Sequence, residues 1–432
     1  MIEFPSSSFP SERERVLRHL TFAQCFEKSV TSAAISSRPL DRGECQSAKR
    51  DRCKLCHAIR LSYADELKLK QSALVSFWQQ HYSASILQAL IPSPLGREYR
   101  TVTKRRVFDK GRSPQLALLS PSEDGIRSPF PVVRCAIEPR GHAGIYAEIQ
   151  NCLTKPFARP LIDSLTYAII KGNYEEFTVI LNVQSIDAPI SRAATTLSRS
   201  LSKLFPSIAG LFLYEDSSDG RYYLGTRSTD AQNRFRRIYG KREIFQSVRS
   251  KKFLYSPLAF SQVNLSMLDT LVRNSEEMLP LPSKGTLFDL YCGYGLFGLS
   301  LSAKVSGVIG IEVSHASMES AISNASRQKA HNVRFLRSDI NSTAIGRIMH
   351  KARNQDLVIL DPPRGGTAGG VIEAIASHRP ACVLHIFCNI DRMAEELTRW
   401  KNSNYEIVRA VPLDMFPGTS TIEMMVALHP TK

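Results

Sequence analysis

Leu287-Phe288-Asp289-Leu290-Tyr291-Cys292-Gly293-Tyr294-Gly295-Leu296-Phe297-Gly298-Leu299 is the stretch whose reading decides the fold. An apolar run ends in an acid, a Gly-x-Gly turn follows, and apolar periodicity continues to Lys304. That pattern reads as strand, tight loop and helix opening, with glycines letting a ligand approach backbone. Val308-Ile309-Gly310-Ile311-Glu312 is a second buried strand, and its carboxylate lies about 20 residues beyond the loop. In a doubly wound sheet, such a carboxylate stands where a ribose hydroxyl is held. Dinucleotide and S-adenosylmethionine (SAM) folds share this loop. Asp289 before it and Glu312 after it favour SAM.

Downstream, helices and strands alternate regularly, which predicts an α/β domain with a parallel sheet. The expected order is a helix over Ser314–Lys329, a strand over Val333–Leu336 ending near Asp339, and a helix over Ala344–Arg353. A buried strand then closes on Asp361-Pro362-Pro363-Arg364-Gly365-Gly366, and Cys382–Phe387 is the next strand, ending at Cys388-Asn389. Carboxyl ends of parallel strands face the ligand crevice. Asp289, Glu312, Asp339, Asp361 and Cys388 are therefore expected to converge there.

Cys292 and Cys382 sit in apolar context and read as packing residues, whereas Cys388 stands at a strand end beside a polar Asn. A thiolate beside SAM suits methylation of an unactivated pyrimidine carbon. Uracil C5 becomes nucleophilic only after a thiolate adds to C6, and a base must afterwards remove the C5 proton. Glu423, among Ile422, Met424, Met425 and Val426, supplies a carboxylate whose apolar surroundings raise its proton affinity.

The rest of the chain points to a polyanionic partner. Across 432 residues, 56 Lys and Arg against 40 Asp and Glu give a net charge of +16 and a pI near 9.5. Phosphate contacts with counterion release make nucleic acid the leading candidate. No apolar run is long enough to cross a membrane, and Met1-Ile2-Glu3-Phe4-Pro5 opens no signal peptide, so a cytoplasmic protein is expected. Residues 1–40 read as a loosely ordered Ser- and Arg-rich extension with a short helical pattern around Glu12–Phe26. Ser62–Tyr82 reads as an amphipathic helix. Between 95 and 250, short runs over Tyr99–Phe108, Leu116–Leu119, Val132–Ile137, Phe177–Val183, Gly210–Tyr214 and Tyr222–Leu224 predict a β-rich α+β module, with helices over Gly144–Leu153 and Ala193–Phe205. In it, Arg97–Arg106 places cations on both faces of a strand, a candidate RNA contact.

Nine cysteines without a secretion signal point to metal, catalysis or burial rather than disulfides. Cys45, Cys53 and Cys56 form Cys-x7-Cys-x2-Cys in a basic segment, Lys49-Arg50-Asp51-Arg52, whose cations are expected to lower the thiol pKa values. Cys135 is the best fourth ligand, with His57 and Cys25 as alternatives. Spacing alone leaves an iron–sulfur cluster and a mononuclear zinc both open.

Five motifs in order give the C-terminal part a family resemblance: Ser256-Pro257-Leu258-Ala259-Phe260-Ser261-Gln262-Val263-Asn264, Asp289–Gly295, Gly310-Ile311-Glu312, Asp361-Pro362-Pro363-Arg364, and Cys388-Asn389 with Asp414-Met415-Phe416-Pro417 and Glu423. Between Tyr255 and Leu428 the chain resembles the SAM-dependent RNA uridine-C5 methyltransferases that make 5-methyluridine in tRNA and 23S rRNA. The resemblance implies a C-terminal Rossmann-like methyltransferase domain over 251–432. It implies SAM contacts from Gln262, Tyr291, Gly293, Gly295, Glu312, Asp339 and Asp361, Cys388 as nucleophile and Glu423 as proton acceptor. The N-terminal cysteines are similar to those of the rRNA-modifying members, which implies a [4Fe-4S] cluster on Cys45, Cys53, Cys56 and Cys135 within a Cys-rich segment at 41–94. The implied substrate is 23S rRNA, with tRNA second, and the implied enzyme is a monomer without membrane association. Leu296, Ile390 and Thr421 depart from the family's usual residues. A catalytically silent RNA-binding factor on the same fold is the other reading, and retention of both Cys388 and Glu423 argues against it.

Overall fold

The computed structural model describes residues 19–35, 40, 43–45, 53, 55–82, 84–111, 113–121, 127–216 and 234–431. Most of the Ser-rich extension, Lys49–Arg52 and the expected strand Tyr222–Leu224 lie outside the described residues.

Two seven-stranded sheets organise the chain. The first contains β1 (Val102–Phe108), β2 (Gln115–Pro121), β3 (Arg127–Pro131), β4 (Leu165–Gly172), β5 (Phe177–Val183), β6 (Ile208–Glu215) and β7 (Phe235–Gly240), in the order β3-β2-β1-β4-β5-β6-β7. Its pairs are antiparallel except β5 with β6, which helix Ala188–Leu204 connects. Asp187 caps that helix by accepting from the Ile190 amide at 2.8 Å. Its apolar stripe, Ile190, Ala194, Leu197 and Leu201, packs with helix Arg140–Leu153 over the sheet.

Two readings of this region change. Val132–Ile137 is loop, and the strand is β3 immediately before it. Pro129 and Pro131 withhold backbone donors, which only an edge strand such as β3 tolerates. Past Pro131 the chain leaves the sheet. Conversely, β4 is a central strand buried along its whole length, so it lacks the polar alternation by which strands are read from sequence.

A hairpin, β8 (Ile244–Val248) with β9 (Lys251–Tyr255), precedes the second sheet and joins that sheet's core through Ile244, Val248, Phe253 and Tyr255. The second sheet comprises β10 (Thr286–Leu290), β11 (Gly307–Glu312), β12 (Val333–Arg337), β13 (Leu357–Leu360), β14 (Cys382–Phe387), β15 (Tyr405–Leu413) and β16 (Glu423–Pro430). Its order is β12-β11-β10-β13-β14-β16-β15. The first five strands are parallel, and β16 enters antiparallel between β14 and β15. This is the doubly wound α/β arrangement, with its switch point between β10 and β13. The expected helices are present as His315–Arg327 and Ser342–Ile348.

The amphipathic helix is Tyr63–Trp78, and Ser62 caps it through the Asp65 amide. It pairs with helix Phe22–Ile35, and both pack on the second sheet. Phe22, Phe26, Leu74 and Trp78 share a core with Val358, Leu360 and Met424. No helix among the described residues is long and apolar enough to cross a membrane.

Candidate active site

The loop after β10 is built on left-handed backbone. Tyr291, Gly293 and Gly295 have φ of 65°, 55° and 88°. Glycine takes such angles freely, and a branched residue does not. A Cβ at Gly293 would meet nothing within 4 Å, so the loop opens onto free space there, whereas one at Gly295 would strike Leu299 and Phe335. Gly298 is needed for contact: a Cβ there would come within 2.9 Å of the Asp289 carboxylate. Gly298 also completes a Gly-x-Gly-x-x-Gly pattern, so glycine count alone does not separate a dinucleotide from SAM. The acidic residues carry that distinction.

Asp289 is 1% exposed, and its Oδ2 accepts from the Gly298 amide at 2.8 Å while Oδ1 has no partner. Burial pushes its pKa up to about 7. Glu312 ends β11 and accepts from the amides of Gly293 (3.1 Å) and Ser314 (2.7 Å), which fixes the carboxylate beside the loop. Burial raises its pKa as well. Asp361 follows β13 at the switch point, and Asp339 follows β12 close enough for its charge to reach Tyr291. Gln262 is buried two residues before Asn264, whose amide donates to the Met415 carbonyl at 3.1 Å. An orphaned buried carboxylate oxygen, an open glycine turn and a ribose-type acid make this crevice suited to SAM. Leu296 is a core residue packed beneath it.

Cys388 and Glu423 come together across two strands. Phe387 pairs with Met424 in the β14–β16 register, so the next residue on each side is Cys388 and Glu423. The Cys388 thiol lies 3.8 Å from the Pro362 carbonyl. Burial, and then the charges of Glu423 and Asp361, push its pKa up to about 12. Glu423 is 2% exposed with Oε2 unpartnered. Burial and the Asp361 charge raise its proton affinity well above the ordinary range, in the sense expected from its apolar neighbours. One nearby cation opposes both shifts: Arg364. In the sequence Arg364 stands only as part of the Asp-Pro-Pro-Arg motif with no role of its own, although a cation directly after Asp-Pro-Pro at a strand end is a usable signal. Ile390 is buried in the core, and Thr421 hydrogen-bonds Thr419 at 2.7 Å. Cys292 and Cys382 are buried, as packing residues should be.

Cys45, Cys53, Cys56 and Cys135 line a single cavity of about 310 Å3, together with Arg100, Lys104, Arg106, Arg134 and Thr419. Neither alternative fourth ligand lines this cavity, although His57 lines a second one with Cys53 and Cys56. Cys25 is packed in the helical core beside Gln80, and the His57 ring meets Glu27 at 3.1 Å and Arg60 at 2.7 Å. The expectation of lowered thiol pKa values is not met. Burial dominates and raises Cys53, Cys56 (to about 11) and Cys135. Among the described residues, no three His, Cys, Asp or Glu side chains stand close enough to share one metal ion.

The cationic strand also resolves differently from a two-faced RNA contact. Arg105 is 2% exposed and forms a bidentate pair with Glu138, both bonds 2.6 Å, over the Tyr146 ring. It is an internal ion pair. Arg97 pairs with Glu66 at 2.9 Å and Glu44 at 2.7 Å. Lys104 and Arg106 project from the other face, beside the cysteine cavity.

Fold and crevice together define a SAM-dependent methyltransferase. Residues 224–431, just under half of the chain, match the family model described as tRNA (Uracil-5-)-methyltransferase, and over that stretch the chain is similar to the RNA uracil-C5 methyltransferases. An uncharacterized RNA methyltransferase of Thermotoga maritima is 25% identical over 87% of this chain and 82% of its own length. The 23S rRNA (uracil(1939)-C(5))-methyltransferase RlmD of Salmonella typhi is 33% identical over 40% of each chain. The crystal structure of Pyrococcus abyssi tRNA (uracil-54, C5)-methyltransferase with S-adenosyl-L-homocysteine superposes with a TM-score of 0.63 over 85% of this chain and 84% of that one, at 19% identity. That likeness concerns the fold.

Proposed function

We propose that the protein methylates C5 of a specific uridine in RNA, 23S rRNA in the first place, through a covalent Cys388–C6 adduct. The observation carrying this reading is the placement of Cys388 and Glu423 side by side at the end of β14, next to the SAM-type crevice. Bound SAM supplies an electrophilic methyl group. After the Cys388 thiol releases its proton, the thiolate forms a bond to uracil C6, and the electrons of the C5–C6 double bond move toward O4 as an enolate. C5 then takes the methyl group, leaving S-adenosylhomocysteine. The Glu423 carboxylate removes the C5 proton, the double bond re-forms, and the thiolate leaves and regains a proton. Arg364 favours both anions that this cycle needs. A paired uridine must be extruded to reach Cys388.

The methyl-donor contacts assigned to Gln262, Tyr291, Gly293, Gly295, Glu312, Asp339 and Asp361 belong to this reading. So does a [4Fe-4S] cluster held by Cys45, Cys53, Cys56 and Cys135. Its support is the common cavity, which has four soft thiol donors and room for a multi-atom cluster. The choice of rRNA rests on the RlmD relatives and on that cysteine set. Unmodified 23S rRNA and tRNA transcripts, incubated with SAM and anaerobically purified protein and digested for nucleoside mass spectrometry, test it. 5-Methyluridine in rRNA supports the proposal, 5-methyluridine in tRNA alone moves the substrate, and its absence from both overturns it.

A further inference from the structure

Helix Tyr63–Trp78 buries a lysine among its apolar residues. Lys70 is 0% exposed, and its three ammonium protons meet three acceptors: Glu66 Oε1 at 2.7 Å, Asp414 Oδ1 at 2.8 Å and the Phe416 carbonyl at 3.2 Å. Glu66 Oε1 also accepts from the Gly418 amide at 2.5 Å. Helix and segment 414–418 are thereby tied together by Lys70 and two buried carboxylates, with Arg97 held on the second oxygen of Glu66 at 2.9 Å. A buried ion cluster adds little net stability compared with an apolar one, but it fixes geometry.

What it fixes is close to the reacting groups. Phe416, held through its carbonyl, places its ring under the Arg364 guanidinium at 5.9 Å. Arg364 lines one small cavity with Cys388 and Pro362, and its charge acts on both Cys388 and Glu423. From Phe416 the chain continues through Thr419, whose hydroxyl donates to the same carbonyl at 2.8 Å, and through the Thr419–Thr421 hydrogen bond to Glu423.

We propose that Lys70 is a positioning residue for the reaction: by anchoring Asp414 and Phe416, it holds Arg364 over the Cys388–Glu423 pair and keeps Glu423 in place for proton removal. This rests on the methyl transfer proposed above. Loss of Lys70 should then slow the steps that need Arg364 and Glu423 while leaving the SAM crevice intact.

The test compares Lys70→Met, the triple variant Glu66→Gln/Lys70→Met/Asp414→Asn, in which Arg97 keeps Glu44 as its partner, Glu423→Gln and wild type. The triple variant matters because Lys70→Met alone leaves two buried carboxylates facing each other. Two readouts are taken: the pH dependence of Cys388 alkylation by iodoacetamide without RNA, followed on the Cys388 peptide by mass spectrometry, and the protein–RNA adduct that survives denaturing gels with 23S rRNA transcript and SAM. The expected result is SAM affinity within twofold of wild type, turnover down at least tenfold, Cys388 alkylation shifted to higher pH, and adduct accumulating as in Glu423→Gln. An unchanged alkylation profile or wild-type turnover overturns the role of Lys70. Failure of both Lys70 variants to fold overturns it too, in favour of stability alone. If Glu423→Gln and wild type form no adduct while the alkylation profile still shifts, Lys70 stands and the C5 chemistry falls.

Discussion

Cys388 and Glu423, 35 residues apart in the chain, face each other one step beyond the Phe387–Met424 pair, where β14 ends and β16 begins. β16 runs antiparallel to its neighbour, so its first residue meets the residue that directly follows β14. The insertion of β16 between β14 and β15 thus brings a thiol and a buried carboxylate to one edge of the crevice.

Cys388→Ala should abolish methyl transfer, by at least ~1,000-fold, because no other step activates C5. SAM binding should remain within a few-fold, since the thiol touches Pro362 and not the glycine loop. Isothermal titration and nucleoside mass spectrometry check the two halves. Turnover near the wild-type rate would place the nucleophile elsewhere.

Glu423→Gln removes the proposed proton acceptor and keeps the volume. Turnover should fall about 100- to 10,000-fold, the usual range for a lost general base. A methylated adduct should accumulate on Cys388, visible by intact-protein mass spectrometry after nuclease digestion.

SAM binding should release protons near neutral pH. Burial holds Asp289 up at about 7 and raises Asp361 and Glu312 as well, so at pH 6 Asp289 is mostly protonated. A cationic sulfonium favours the ionised carboxylates. Affinity should therefore climb as pH rises from 6 towards 7 and level off above, where Asp289 is already ionised. Titrations in buffers of different ionisation enthalpy measure the protons released. S-Adenosylhomocysteine, which lacks the sulfonium charge, should release fewer, and equal release for both ligands would refute the idea.

Gly310 lies in β11 with no room beside it: a Cβ would come within 2.4 Å of the Phe335 ring and 3.1 Å of the Cys292 sulfur. Gly310→Ala should destabilise the protein by about 1–3 kcal/mol through overpacking. Its SAM affinity should also weaken, because Cys292 belongs to the loop. Denaturant unfolding with and without SAM checks both effects.

Replacing Cys53 or Cys56 by Ser should remove the iron content and the visible absorbance of anaerobically purified protein. Thermal stability should fall with it, because the cavity wall contains Thr419 from the segment that leads to Glu423. Iron content equal to wild type would dismiss the cluster assignment.

Legibility followed the range of the signal. Asp289, Glu312, Asp361 and Cys388 were readable because each stands at the end of an apolar run, and parallel strands in a doubly wound sheet all deliver that end to one crevice. Glu423 was readable as an acid in apolar surroundings, although its position as the first residue of β16 was not. Cys135 was found within the wrong local structure, since the run Val132–Ile137 reads as strand by residue type but has left the sheet after two prolines. Lys70 gave no signal at all. A lysine on an amphipathic helix looks like a solvated residue until a distant segment covers it.

The sequence by itself determined the α/β class of the C-terminal half, the SAM-type loop and the candidates for the chemistry-bearing residues, because strand ends and tight turns are written in neighbouring residues. Tertiary structure alone decided which of these meet. It placed Glu423 beside Cys388, closed four cysteines from three separate stretches on one cavity, buried Arg105 against Glu138, and sealed Lys70 between Glu66 and Asp414. Such contacts join residues dozens to hundreds of positions apart. Only the packed sheets bring them together, and local pattern carries no record of that.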